Sequence, residues 1–106
     1  MQAAAAEPDS QLVARLEREA RALAKTDGCT SADQCRAAPV GERPCGGPRA
    51  YLVYCARSTD SAGLYRKLSE LRQAEVAMNQ KSNAMSTCEF RTPPELGIST
   101  GTCKPR

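Results

Sequence analysis

Six cysteines and no histidine set the chemistry open to this chain. The cysteines are Cys29, Cys35, Cys45, Cys55, Cys88 and Cys103. Without histidine, Ser-His-Asp and Cys-His catalysis, histidine-ligated metals and imidazole pH switching are all out of reach. Structural zinc favours cysteine pairs at C-x2-4-C spacing. No such pair occurs, since even Cys29 and Cys35 are separated by more than that. An even number of cysteines in a short chain reads instead as a disulfide framework, so three bridges and no metal or cofactor are expected. Paired sulfurs are not nucleophiles, and the expectation is a protein that is not an enzyme.

Two other patterns invite a chemical reading. Gly97-Ile98-Ser99-Thr100-Gly101 matches G-x-S-x-G, but a nucleophile elbow needs a strand-turn-helix and a partner histidine. It is read as chance in a tail of small residues. Cys45-Gly46-Gly47-Pro48, flanked by Arg43 and Arg49, could cradle an anion on converging N–H groups. The plainer reading is a tight turn beside a bridge. Glu70 and Glu75 stand five apart on a predicted helix and are expected to be surface charges.

Composition explains why a framework is needed. Leu, Ile, Val and Phe together make up 14 of 106 residues. So small an apolar complement cannot easily offset a backbone entropy of about 1–2 kcal/mol per residue, and each bridge adds about 2–4 kcal/mol. Net charge is only +3 and aromatic residues make up 4 %. No basic block emerges along the chain, so nucleic acid is not an expected partner.

The elements that must position these cysteines are few. Leu12, Leu16, Ala20 and Leu23, with Val13 beside them, predict an amphipathic helix over 10–25. Asp9 or Ser10 would cap it, and Gly28 would take the left-handed position after it. Ser31 to Gln34 resembles a capping box and predicts one short turn. Cys35 to Val40 reads as extended, and Ala50 to Cys55 as a β-rich segment at the centre of the core. Leu64, Leu68, Leu71, Met78 and Met85 mark a second helix over 60–83, capped by Ser58, Thr59 or Asp60. The stripe is interrupted at Glu75 and Ser82, so it reads as a packing face against the first helix rather than a zipper. The tail from Cys88 is expected to be irregular. The fold class expected is therefore small, disulfide-rich and mainly α: residues 1–9 a spacer, residues 10–106 one domain. A helix of about 36 Å would stand between Cys55 and Cys88, which disfavours that pairing and leaves the other connectivities open.

Two constrained loops remain as contact candidates. One spans Ala37 to Pro44 with Pro39 and Arg43, beside Arg49; the other carries Arg91 and Pro94. Proline-stiffened loops between cysteines are pre-organised for a protein partner.

Cys29…Gln34-Cys35, Cys45-Gly46-Gly47-Pro48-x-x-Tyr51, the helix from Asp60 and Ser86-Thr87-Cys88 together resemble a group of uncharacterised, small, cysteine-rich bacterial secreted or lipoprotein-like proteins. The similarity spans Cys29 to Cys103, with CGGP-x-x-Y its most specific part. This chain departs from it at Cys55, where such proteins carry a small polar residue, and in lacking a further tail cysteine. The resemblance implies export and supplies no activity. Disulfides imply an oxidising compartment, secreted or periplasmic. The start lacks a signal-peptide pattern, as a mature fragment would. A lipid anchor before Gln2 would turn the Ala-rich stretch into a tether. Seventeen alanines hint at a GC-rich bacterial genome. The expected protein is an exported binding module, monomeric, with no transmembrane segment; inhibition of a protein is one role that fits. The alternative is a structural envelope component self-associating through the Leu64–Met85 stripe.

Overall fold

The computed structural model describes residues 7–83 and 91–106. Helix α1 (Asp9–Leu23) is followed by a short 3-10 turn (Ala32–Gln34), strands β1 (Cys35–Val40) and β2 (Ala50–Cys55), helix α2 (Ser61–Ser82), and strands β3 (Leu96–Ser99) and β4 (Thr102–Pro105). Among the described residues helix accounts for 43 % and strand for 23 %, so the fold is mixed α/β. That corrects the mainly-α expectation. The second correction is the tail, which is an antiparallel hairpin rather than irregular.

Both helices follow their apolar stripes. In α1, Val13, Leu16 and Ala20 are buried, while Leu12 and Leu23 pack at the margin. The expected side-chain cap is absent. The helix starts from Pro8, whose carbonyl accepts the Leu12 N–H at 2.9 Å, and Asp9 places a negative charge in the first turn, where the helix dipole favours it. Ala24 turns the chain extended. Gly28 does have positive φ, but it lies beyond that exit and serves a later turn against Ser58. Asp60 caps α2 by accepting from the Gly63 N–H at 3.1 Å. Asn83, in the left-handed region, ends it. Leu64, Leu68 and Leu71 are buried, each contributing about 1.5–3 kcal/mol. The helices run antiparallel. Lys81 near the end of α2 meets Asp9 at 3.2 Å, and Lys67 near its start meets Glu19 at 2.9 Å.

β1 and β2 pair antiparallel, with Cys35 opposite Cys55 and Val40 opposite Ala50. Side chains alternate across a strand, and the two faces of this small sheet are buried against different things. Ala38, Val40, Leu52 and Tyr54 point into the helical core. Cys35, Cys55 and Val53 belong to the opposite side, where Cys29, Cys103, Leu96 and Ile98 close a second cluster. The result is three layers: the helix pair, the first hairpin, and the tail hairpin. The segment after α1 stitches the sheets. Cys55 N–H donates to the Lys25 carbonyl at 2.6 Å and Cys103 N–H to the Thr26 carbonyl at 2.7 Å. Asp27 bridges Thr102.

Two bridges cross this second cluster, Cys29–Cys55 and Cys35–Cys103. Cys55 is therefore not joined to Cys88. Cys45 is also disulfide-bonded. Residues 84–90, with Cys88, Met85 and Phe90, lie outside the described residues. No helix among the described residues is long and apolar enough to cross a membrane.

Candidate binding surface

The loop joining β1 to β2 is built from its own hydrogen bonds. Arg49 N–H donates to the Val40 carbonyl at 3.1 Å, Arg43 N–H to Gly47 at 2.9 Å, and Gly46 N–H to Arg43 at 2.8 Å. Gly41, Gly46 and Gly47 all have positive φ, which glycine adopts at least cost. Added Cβ atoms at Gly46 and Gly47 would meet nothing within 4 Å. These two glycines serve backbone shape, and one of the N–H groups an anion would need is already donated inside the turn.

Gly41 has a second reason. A Cβ there would lie 2.1 Å from Glu75 Oε1 and 2.7 Å from Arg49 Nε. Glu75 is only 6 % exposed, which corrects its assignment to the surface. Its carboxylate accepts the Glu42 N–H at 2.7 Å and Arg49 Nε at 3.0 and 2.9 Å. Arg49 continues to Glu17 on α1, which also pairs with Arg21 at 2.9 Å. One guanidinium thus clasps the loop to both helices. Burial pushes the Glu17 carboxyl up, but hydrogen bonds from Arg49 and Arg21 outweigh it and hold it below the usual carboxylate range. Glu42 is fixed in turn. Asn79 Nδ2 donates to its carbonyl at 2.8 Å, and Arg72 pairs with its carboxylate at 3.2 Å.

Beyond the clasp, Glu42 and the loop after it form one wall of an open cavity of about 660 Å³ between the loop and the second half of α2. Its lining includes Glu42, Arg43, Pro44, Arg72, Val76 and Asn79. A notch of about 170 Å³ opens beside it, between Pro39, Tyr65, Leu68 and Arg72. Tyr65 is 44 % exposed, the one large apolar side chain so exposed among the described residues. Its ring stands edge-on to buried Tyr54 at 6.5 Å. Partial burial, and then the hydrogen bond with Tyr54, push the Tyr65 hydroxyl above its usual value.

The structure therefore divides the candidates chosen from sequence. Pro39 is exposed on β1 and faces Tyr51 across the hairpin, and Tyr51 OH donates to the Arg91 carbonyl at 3.2 Å. Pro39 and Arg91 thus share one side. Arg43 lines the cavity, Arg49 is consumed in the clasp, and Pro94 is half-buried before β3. Arg72, Asn79, Glu75 and Tyr65 were missed. For Glu75 the signal was present: a charge on the apolar stripe of α2 needs a buried partner. Leu64, Leu68 and Leu71 of that stripe are buried within the fold, and Met85 at its far end lies outside the described residues.

A protease inhibitor that mimics substrate must leave the carbonyl of its specificity residue free for the oxyanion hole. The Arg43 carbonyl accepts from Gly46 and the Arg91 carbonyl from Tyr51. Each carbonyl thus already carries one hydrogen bond within the fold.

Layering and bridges define the chain as a small, disulfide-held α/β domain with two separate cores. No family model matches it, and neither a curated protein nor a solved structure is significantly similar.

Proposed function

We propose that this chain is an exported binding module, secreted or periplasmic, that receives an extended segment of a protein partner in the cavity between the 42–46 loop and α2. The observation that carries the reading is the cavity's fixed walls. Its volume falls in the range of ligand sites, about 300–1,000 Å³. Cys45 is covalently tied and Glu42 is held by three partners, so little order has to be gained on binding. The lining supports a peptide: amides such as Asn79 and Gln80 match main-chain groups, the guanidinium groups of Arg43 and Arg72 match carboxylates, and Val76 and Pro44 supply apolar contact. The bridges support an oxidising compartment. Binding without chemistry is the reading favoured by a lining of Arg, amide, Glu, Pro, Val and Gly residues.

Capture from envelope extract on the immobilised oxidised protein tests it. Arg72→Ala and Arg43→Ala should each weaken recovery of the captured protein about tenfold, as loss of one charged contact would. Recovery unchanged in both variants refutes this surface.

A further inference from the structure

The sulfurs of Cys29, Cys55 and Cys103 all lie within 4.8 Å of one another, and Cys35 is bonded to Cys103. Four buried sulfurs thus form one cluster rather than two distant bridges. Much of their placement comes from the backbone. Cys35 and Cys55 are register partners, Cys55 is hydrogen-bonded to Lys25, Cys103 to Thr26, and Cys29 follows the Asp27–Thr102 bridge.

We propose that reduction of both bridges converts this cluster into a thiolate site for a tetrahedral divalent cation of the zinc type. Each disulfide takes two electrons and two protons from a dithiol, which closes to its own disulfide. The four thiols formed then bind one cation and release their four protons to solvent. Zinc–sulfur bonds of about 2.3 Å put tetrahedral sulfurs about 3.8 Å apart. Three of the four already lie within 4.8 Å of one another, and the two bonded pairs need only open to that spacing, so the same core can be closed by two bridges or by one ion. The sequence hides the site because its ligands come from the exit of α1 and from three strand positions rather than from C-x2-4-C pairs. Carbonyls of Gln34 and Gly97 stand 3.6 Å from Cys29 Sγ and 3.9 Å from Cys35 Sγ. They suit S–H donors and oppose thiolates, so binding should weaken steeply as pH falls.

The test uses the whole chain, reduced with dithiothreitol, freed of it without oxygen, and titrated with Co²⁺. The expected result is intense visible bands of tetrahedral thiolate-bound cobalt, saturating at one ion per chain and bleached by Zn²⁺. Alkylation of the metal-loaded chain should spare Cys29, Cys35, Cys55 and Cys103 and modify Cys45 and Cys88. The oxidised chain should give no such bands. Absence of thiolate–cobalt bands in the reduced chain overturns the proposal, as does protection of Cys45 or Cys88 in place of any of the four.

Discussion

Gly41 and Gly46 both have positive φ, at 75° and 96°, yet they should respond differently to the same substitution. Gly46→Ala adds only backbone strain, about 1 kcal/mol. Gly41→Ala adds the same strain and drives a methyl group into the Glu75 carboxylate and Arg49. Its cost should be about 2–4 kcal/mol, because the buried ion pair must open. Urea unfolding of the two variants checks this, and equal losses would mean that the clasp yields freely. Glu17 makes the same network visible to pH. Its folded pKa is depressed, so its stabilisation is present above the unfolded value of about 4.3 and is lost as pH falls through the lower folded value. Glu17→Gln should therefore flatten the acid limb of stability measured from neutral pH downward. An acid limb identical to that of the parent would rule out a Glu17 contribution.

At the scale of elements, the tail hairpin carries its own test. Thr100 and Gly101 both have positive φ, at 50° and 77°, and form the two-residue connection between β3 and β4. Such turns want Asn-Gly, and a β-branched residue there is strained. Thr100→Asn should stabilise by about 0.5–1 kcal/mol and raise the melting temperature by a few degrees; an unchanged or lower value would remove the strain argument. This turn also shows why the tail could not be read in advance. Thr-Gly carries no recognised hairpin signal, and Gly97 to Gly101 spelled a different motif. Helices declared themselves because leucines at a 3.6-residue period must share a face, and both were legible to within two residues at each end. Ala50–Cys55 was legible for its β-branched and aromatic content. Its pairing with Cys35–Val40 was not, because a long, proline-bearing connection fixes no register. The candidate surface was half legible. Arg43 and Pro39 stood out in a constrained loop, whereas Arg72 and Asn79 are ordinary helix-surface residues until the loop folds over them. Connectivity follows the same division. With Cys29, Cys35, Cys55 and Cys103 paired among themselves and Cys45 bonded, Cys88 is the one cysteine left in the sequence. Peptide mapping of the unreduced protein should therefore recover a Cys45–Cys88 fragment. A different partner for Cys45, or a free thiol at either position, would contradict the framework.

For the whole molecule, the question is how a chain with so little apolar mass stays folded. Among the described residues the helical core holds ten buried residues, and two of them, Ala20 and Ala38, are alanines. The second core is sulfur, with Val53, Leu96 and Ile98 packed against it among the described residues. Closing a loop with a sequence separation of 68 should contribute about 4 kcal/mol, and one of 26 about 3.5 kcal/mol. Together these match the total stability of many domains, about 5–15 kcal/mol. The two bridges meet where β1, β2, β4 and the exit of α1 converge, so each partly duplicates what the other restrains. Replacing one pair, Cys35→Ala with Cys103→Ala, should leave a folded but weakened protein, with faster exchange of the backbone amide at position 103, which donates to the Thr26 carbonyl. Reducing every bridge in the presence of a chelator should do more. Cooperative unfolding should vanish and only residual helix should remain in the far-ultraviolet spectrum, because no second restraint is left at the point of convergence. The same reduced chain keeping a sigmoidal urea transition at its oxidised midpoint would show that the helical core suffices alone, and would reassign the cysteine cluster from a condition of folding to an accessory of it.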